Sequence, residues 1–178
     1  TIPTIRSKLY QSNSSVSLSD HDKISKDDIV RGLKLSTKFK KSHEEEVVCV
    51  IPVRFNGDFG ISQVPPIGEA SRNLIIDTLI ITSQKQILYP YIMAVEKAGL
   101  EIMDICINAF ACAKEAFDAV YLQEGALIID MGYKTSTISF YKDGYLKYLT
   151  VCSVGGYNLT RAIAQHLQIS MNQAETYK

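Results

Sequence analysis

The sequence has no excess of charge of either sign and no apolar run long enough to cross a membrane. Its 178 residues carry 19 basic and 19 acidic side chains, so the formal net charge is zero. A protein that binds nucleic acid through bulk electrostatics needs a clear basic excess, which is missing here. The longest apolar stretches, Val47–Val53 and Leu74–Ile81, are much shorter than the roughly 18 residues of a membrane-spanning helix. We therefore expect a globular protein with no nucleic-acid partner and no membrane span.

The sequence also lacks the cysteine and histidine patterns of disulfide frameworks and zinc sites. None of the four cysteines forms a C-x-x-C pair, and the three histidines lie too far apart for zinc-ligand spacing. No charged-then-apolar signal segment opens the chain. We therefore expect reduced thiols, surface histidines and a cytosolic location. Because the chain begins at Thr1 and stops just after a predicted helix, we also expect it to be a piece of a longer protein.

The first part of the chain predicts a strand followed by a helix. Val16 and Leu18 alternate with serines, which is the pattern of a half-buried edge strand. Ser25 and Asp28 resemble a capping box, which predicts the start of a helix that ends near Phe39. The apolar stripe of this helix is expected to consist of Ile29, Val30 and Leu33.

Two apolar stretches predict strands that complete a small α+β unit. Val47–Val53 is expected to be a strongly buried strand, and Asn56–Asp58 has the composition of a turn. Leu74–Thr82 is expected to be a second buried strand. The order up to this point is strand, helix, strand, strand.

The next stretch predicts alternating helices and strands. A helix is expected to end at Ala98, followed by a strand over Glu101–Ile107. Asn108 is expected to cap a second helix over Ala109–Val120. The inward face of the first of these helices is expected to consist of Tyr91, Ile92 and Val95.

The last part of the chain predicts a meander of strands followed by helices. Ala126–Ile129 is an apolar strand, and Thr137–Tyr141 and Tyr145–Cys152 form a hairpin around a turn that contains glycine. A helix follows the paired glycines at 155 and 156, and Asn172–Lys178 begins another. Strands that alternate with helices are typical of an α/β fold.

The turn after the strand at 126–129 is the strongest candidate for a chemical site. An acidic residue at a strand end, followed by a tight turn with Gly and Thr, is one way of presenting backbone N–H groups to phosphate oxygens. In such a site Asp130 would hold a Mg²⁺-bound water, and Gly132 would let the backbone approach the phosphate. Thr135 or Ser136 would donate a hydroxyl. An ordinary turn between two strands is the alternative interpretation.

The paired glycines Gly155 and Gly156 are a second, weaker candidate. The exposed N–H groups of a helix N-terminus attract anions. A corner between strand and helix that requires a positive φ would use glycines equally well.

Taken together, these segments resemble the FtsA family of bacterial cell-division proteins, in the actin/Hsp70 superfamily. The resemblance extends over nearly the whole chain, and the order and spacing of its blocks are more specific than any single block. The blocks are Val95–Glu101, Ala126–Gly132, Val154–Thr160 and Asn172–Lys178.

The resemblance implies an α/β fold in which an α+β insertion is followed by actin-like, ribonuclease-H-like ATPase elements. Residues 1–70 would be the inserted subdomain 1C, an SHS2-type unit. Residues 71–123 would belong to the first ATPase subdomain, 1A, and residues 124–178 would begin the second, 2A. Because subdomain 1C takes part in self-association in the family, we expect an exposed, partly apolar surface on residues 1–70.

The resemblance also implies a nucleotide-phosphate site. Its residues would be Asp130, Gly132, Lys134, Thr135, Ser136, Gly155 and Gly156. Asp130 would hold Mg²⁺ through water. The family's loop is usually D-x-G-G-G-T, and here Tyr133 and Lys134 replace two of its glycines, so that Lys134 could point at a phosphate.

The function implied is that of an ATP-binding scaffold for septum formation, with Mg²⁺ as co-ligand and at most a weak ATPase activity. Such a protein self-associates as a filament or dimer, links FtsZ to the inner face of the cytoplasmic membrane, and recruits later proteins of the divisome. Membrane attachment would require a C-terminal amphipathic helix that lies outside this chain. Three alternatives stay open: a PilM-like pilus-assembly scaffold, a degenerate actin-like interaction module without nucleotide, and a phosphotransferase of the sugar-kinase type.

Overall fold

A computed structural model describes residues 1–18, 23–38 and 42–178. The chain divides into a first unit, residues 7–106, and a second unit, residues 1–6 with 107–178. The elements of the first unit are β1 (Lys8–Ser17), α1 (Lys26–Ser36), β2 (Glu45–Gly57), β3 (Gly60–Ser62), β4 (Asn73–Gln84) and α2 (Lys85–Lys97). Those of the second are α3 (Asn108–Ala116), α4 (Ala119–Glu124), β5 (Ala126–Met131), β6 (Ser136–Lys142), β7 (Tyr145–Cys152), α5 (Gly156–Leu167) and α6 (Met171–Thr176). The predicted subdomain boundaries near residues 70 and 123 stay a prediction.

The first unit is built on an antiparallel sheet with the strand order β1–β4–β2–β3. β4 lies between β1 and β2, and it is buried as predicted, because neighbouring strands flank it on both sides. β2 is half-buried over Val47–Val53, so the prediction of a strongly buried strand is wrong there. The physical reason is its position: only the last three residues of β2 pair with β3.

Helix α1 begins as predicted and ends earlier than predicted. The capping box of Ser25 and Asp28 is present, and the helix ends at Ser36. Phe39, where the sequence predicted its end, lies outside the described residues. Ile29 is buried in the core of the unit, whereas Val30 is 47% exposed, so its predicted place in the apolar stripe is wrong.

Helix α2 turns a different face inward from the one predicted. Leu88 is buried, whereas Tyr91 and Val95 are exposed, which corrects the predicted inward face. Pro90 lies inside this helix. The helix stops at a left-handed glycine, Gly99, whose φ is +76°.

The strand predicted over Glu101–Ile107 is wrong. Residues 101–106 have no regular secondary structure, and Ile107 alone forms a parallel bridge with Ile2. A strand exists only where a neighbouring strand accepts its hydrogen bonds. None of the described strands lies beside residues 101–106.

The single helix predicted over Ala109–Val120 is two helices, α3 and α4. Phe117 has an extended backbone that ends α3, and its ring packs edge-on against Tyr121 of α4. Asn108 is the first residue of α3 rather than its cap, because the N-cap position is occupied by Ile107. Tertiary packing overrides helix propensity at this break.

The second unit contains an antiparallel sheet with the order β5–β6–β7. The β6–β7 hairpin has the predicted turn: Asp143 and Gly144 have φ values of 56° and 78°. Their N–H groups donate to the carbonyls of Gln123 and Leu122, so the hairpin turn caps the end of α4. The mixture of helices and strands in the two units confirms the predicted α/β class. No helix in the described part of the chain has both the length and the apolarity that crossing a bilayer requires.

Candidate functional site

Asp130 lies near the end of β5, opposite Thr137 of β6, and is half-buried. The side-chain amide of Asn108 donates a hydrogen bond to its Oδ2 at 2.8 Å. The second carboxylate oxygen of Asp130 accepts no hydrogen bond from a described residue. Asn108, which the sequence assigned to helix capping, therefore holds one oxygen of Asp130 and leaves the other available to a ligand.

The turn between β5 and β6, residues 132–135, presents consecutive backbone donors. The N–H of Gly132 donates to the carbonyl of Thr135 at 2.9 Å, which closes the turn. The next three N–H groups, those of Tyr133, Lys134 and Thr135, donate to no acceptor among the described residues. Successive N–H groups without protein acceptors form the kind of concavity that binds anions.

The side chains of the turn differ in whether they already form hydrogen bonds or ion pairs with other described residues. Lys134 is exposed and forms no ion pair with the described residues. The hydroxyl of Thr135 is likewise without a partner in the described part of the chain. Ser136 is buried, and its hydroxyl donates to the carbonyl of Val154 at 2.7 Å. Thr135 is therefore better placed than Ser136 to supply a hydroxyl to a ligand.

The N-terminus of α5 faces the turn. The N–H of Gly156 donates to the carbonyl of Gly132 at 2.9 Å, and the N–H of Tyr157 donates to the carbonyl of Tyr133 at 2.8 Å. The N–H of Gly155 donates to the side-chain oxygen of Asn158, in the first turn of α5. These donors are therefore engaged within the protein.

The paired glycines Gly155 and Gly156 do not form a corner that requires a positive φ. Gly155 has a φ of −157°, and neither glycine has a positive φ, so that alternative interpretation is wrong. A Cβ added to Gly155 would lie 2.6 Å from the carbonyl oxygens of both Gly132 and Tyr133. Glycine at this position permits the close approach of α5 to the turn.

Sequence reasoning missed a polar cluster that joins α5 to the end of the chain. The hydroxyl of Thr160 donates to the carboxylate of Glu175, and Lys178 forms an ion pair with that carboxylate at 3.0 Å. The hydrogen bond from Thr160, followed by the contact with Lys178, holds the pKa of Glu175 below its ordinary value. A Cβ added to Gly156 would lie 2.6 Å from Nζ of Lys178, so this cation lies close to the start of α5. Glu and Lys three residues apart are an ordinary helix pair in sequence, so only the fold could reveal this contact.

The donor set at the turn fits a magnesium–polyphosphate group. Backbone N–H groups, a hydroxyl and a lysine donate hydrogen bonds to phosphate oxygens. A carboxylate oxygen can bind Mg²⁺ directly or accept a hydrogen bond from a water bound to the ion. No group of three or more His, Cys, Asp or Glu side chains that could hold a metal occurs among the described residues. A magnesium ion at Asp130 would therefore take its other ligands from phosphate and water.

The described histidines are surface residues and are not part of this turn. His43 and His166 are exposed, as predicted, and His21 lies outside the described residues. Cys112 and Cys152 carry free, half-buried thiols.

Several comparisons with known proteins match this chain to the same family. The family described as "Cell division protein FtsA" matches residues 127–178. The FtsA protein of Bacillus subtilis (strain 168) is 30% identical over 96% of this chain and 39% of its own length. FtsA of Staphylococcus epidermidis (strain RP62A) is 27% identical over 99% of the chain and 38% of its own length. FtsA of Streptococcus pneumoniae (strain D39) is 26% identical over 90% of the chain and 35% of its own length. The chain thus spans less than half the length of these relatives, and the predicted resemblance is confirmed.

A solved structure shares the fold. A chain of a "PilM-PilN type IV pilus biogenesis complex" matches 96% of this chain and 47% of its own length, with a TM-score of 0.56 and 15% sequence identity. At this identity the likeness is evidence for the fold alone.

Proposed function

We propose that the chain, a segment of the FtsA family of cell-division proteins, contributes one wall of an ATP site in a scaffold that acts in cell division. The observation that carries the nucleotide assignment is the turn at 132–135. Its three N–H groups without an acceptor among the described residues, those of residues 133–135, closely follow Asp130, a carboxylate with one oxygen available to a ligand. Donors of this kind bind phosphate oxygens without the need for a large basic surface.

Each residue of the turn has a distinct part in this proposal. The N–H groups of residues 133–135 and the hydroxyl of Thr135 bind phosphate oxygens, and Lys134 adds a positive charge. The available oxygen of Asp130 accepts a hydrogen bond from a water bound to Mg²⁺. The ion neutralises the charge of the polyphosphate when it is bound. Ser136 contributes by fixing the end of the turn to Val154.

The proposed role is binding and assembly rather than turnover. We propose self-association, as a filament or dimer, with the first unit as one contact surface. Three apolar side chains near β3 are well exposed there, and such exposed apolar groups favour protein contacts. They are Ile61 at 67%, Val64 at 71% and Ile67 at 50% exposure.

The remaining activities concern the whole protein, of which this chain would be a part. We propose that the whole protein lies in the cytoplasm at the inner face of the membrane, links FtsZ to that membrane and recruits later division proteins. The relatives that support this proposal are named as cell-division proteins, and the chain covers 39% of the Bacillus subtilis relative.

Two further functions stay open. A degenerate interaction module without nucleotide is favoured by Tyr133, because a large, 58% exposed side chain stands where the family's loop usually has glycine. A PilM-like pilus-assembly scaffold is favoured only by the shared fold.

The test is isothermal titration calorimetry of Mg-ATP into the full-length protein. We expect Asp130→Ala to weaken binding about tenfold or more, equivalent to about 1.4 kcal/mol. Glu115→Ala, which removes an exposed carboxylate from α3, is the matched control and should bind as the unmutated protein does. Absence of binding by the unmutated protein would favour the degenerate module and direct attention to the surface of residues 1–70.

A further inference from the structure

We infer that the N-terminus of α5 acts on a bound phosphate indirectly, by orienting the peptide groups of the turn that bind it. Gly155 and Tyr157 are then positioning residues rather than phosphate ligands. This inference rests on the proposed nucleotide site and assigns a regulation to it: whatever moves α5 changes the turn.

Two consecutive carbonyl groups of the turn point at the start of α5. The carbonyl of Gly132 accepts from the N–H of Gly156, and the carbonyl of Tyr133 accepts from the N–H of Tyr157. In a trans peptide the C=O and N–H bonds point in opposite directions. Because both carbonyls point at α5, the N–H groups of Tyr133 and Lys134 point away from it. These are two of the three donors that lack an acceptor among the described residues.

The same contacts increase the strength of these donors. The first N–H groups of a helix carry a partial positive charge. A carbonyl that accepts a hydrogen bond polarises its peptide group, and the N–H of that group becomes a better donor. The partial charge at the start of α5 thus acts on an anion through the peptide groups of the turn.

The close approach of α5 depends on the absence of a side chain at position 155. A Cβ there would lie 2.6 Å from both carbonyl oxygens. The φ of Gly155, −157°, and its ψ, −170°, belong to the extended region that alanine also adopts. Replacing Gly155 by alanine would therefore disturb the contact without straining the backbone.

A pair of rings holds the same two segments together. Tyr133 and Tyr157 pack edge to face, with ring centroids 5.6 Å apart and an interplanar angle of 67°. Their hydroxyls form no hydrogen bond with the described residues, so the contact is made by the rings. This assigns a purpose to the tyrosine that replaces a glycine of the usual loop: it fastens the turn to α5.

The test measures hydrogen exchange of the backbone amides in the nucleotide-free, full-length protein. We expect Gly155→Ala and Tyr157→Ala to speed exchange at residues 156 and 157 about tenfold, while exchange in the interior of α5 stays unchanged. Tyr157→Phe keeps the ring and should behave as the unmutated protein. Tyr148→Ala, which removes another exposed tyrosine, is the control for surface changes.

Calorimetry with Mg-ATP on the same variants separates this inference from the proposed function. We expect Gly155→Ala and Tyr157→Ala to weaken binding about tenfold or more, and Tyr157→Phe to leave it unchanged. Unchanged exchange at residues 156 and 157 in both variants overturns the inference, even if the unmutated protein binds nucleotide. Faster local exchange in a protein that binds no nucleotide supports the contact between α5 and the turn, and overturns the proposed function instead.

Discussion

The side-chain amide of Asn108 donates a hydrogen bond to Oδ2 of Asp130 across 2.8 Å and joins the first residue of α3 to the end of β5. The two residues are 22 positions apart in the sequence, and no local pattern connects them. The bond fixes the orientation of the carboxylate before any ligand is present. Asn108 therefore belongs to the candidate site, although it need not touch a nucleotide.

Asn108→Ala is expected to destabilise the protein by about 1–2 kcal/mol, because a hydrogen bond to a half-buried carboxylate is lost. The free energy of unfolding is measured by urea denaturation. Asn172→Ala, which changes an exposed asparagine of α6, should leave it within about 0.5 kcal/mol of the unmutated value. Equal stability of the two variants would contradict a contribution of this bond.

Gly32→Ala is expected to destabilise the first unit by about 1–3 kcal/mol, although alanine is the better helix former. A Cβ at this position of α1 would lie 2.6 Å from Cδ1 of Ile76 and 3.2 Å from Cγ2 of Val16. Ile76→Val removes the Cδ1 atom concerned. The double variant should therefore lose less stability than the sum of the two single variants, as measured by urea denaturation. Simple additivity would show that the helix does not approach the sheet this closely.

Acid unfolding is expected to depend on Glu45, which is 2% exposed and accepts hydrogen bonds from Lys8, Tyr10 and Thr82. The hydrogen bond from Lys8 is the largest cause that holds the pKa of Glu45 below its ordinary value of 4.5. A carboxyl group whose pKa is lowered by folding stabilises the folded state fully at a pH above its ordinary pKa. This stabilisation is lost as the pH falls through the lowered pKa of the folded state.

Lys8→Met should raise the pKa of Glu45 and shift the acid-unfolding midpoint, followed by circular dichroism, to higher pH. Tyr10→Phe should shift it less, because its hydrogen bond lowers the pKa less than that of Lys8 does. When Glu45 is replaced by glutamine, Lys8→Met should no longer shift the acid-unfolding midpoint. A midpoint that does not respond to Lys8→Met would refute the assignment.

The pKa of Glu175 is expected to rise when its hydrogen-bond donors are removed. Thr160→Val deletes the hydroxyl that contributes most to lowering this pKa, while it preserves the shape of the side chain. Lys178→Met should also raise the pKa, because it removes both the hydrogen bond and the positive charge of Lys178. Carbon NMR of the carboxyl group across an acid titration measures both shifts. An unchanged pKa of Glu175 in Thr160→Val would contradict the hydrogen bond from Thr160.

The sequence predicted those features whose cause is local. The capping box of Ser25 and Asp28, the buried strand at 74–82 and the turn at Asp143–Gly144 each follow from a few neighbouring side chains. The position of the Asp130 turn directly after an apolar strand could also be read from the sequence.

The features that were mispredicted depend on distant neighbours. Residues 101–107 have strand-like composition, but no described strand lies beside 101–106. Val30 and Tyr91 fit a helical apolar stripe, yet other apolar residues of their helices, Ile29 and Leu88, are the buried ones. The role of Gly155 depends on two carbonyls of a turn 22 or more positions earlier, and a pair of glycines alone cannot identify such a contact.

The pairing of β1 with β4 has a consequence for biosynthesis. These strands are the first and last of their sheet in chain order, and the hydroxyl of Thr78 reaches the carbonyl of Ser12 across 66 positions. Closing so long a loop costs conformational entropy before the contacts between β1 and β4 can offset that cost. During translation β1 therefore has no partner strand within its sheet until β4 has been synthesised.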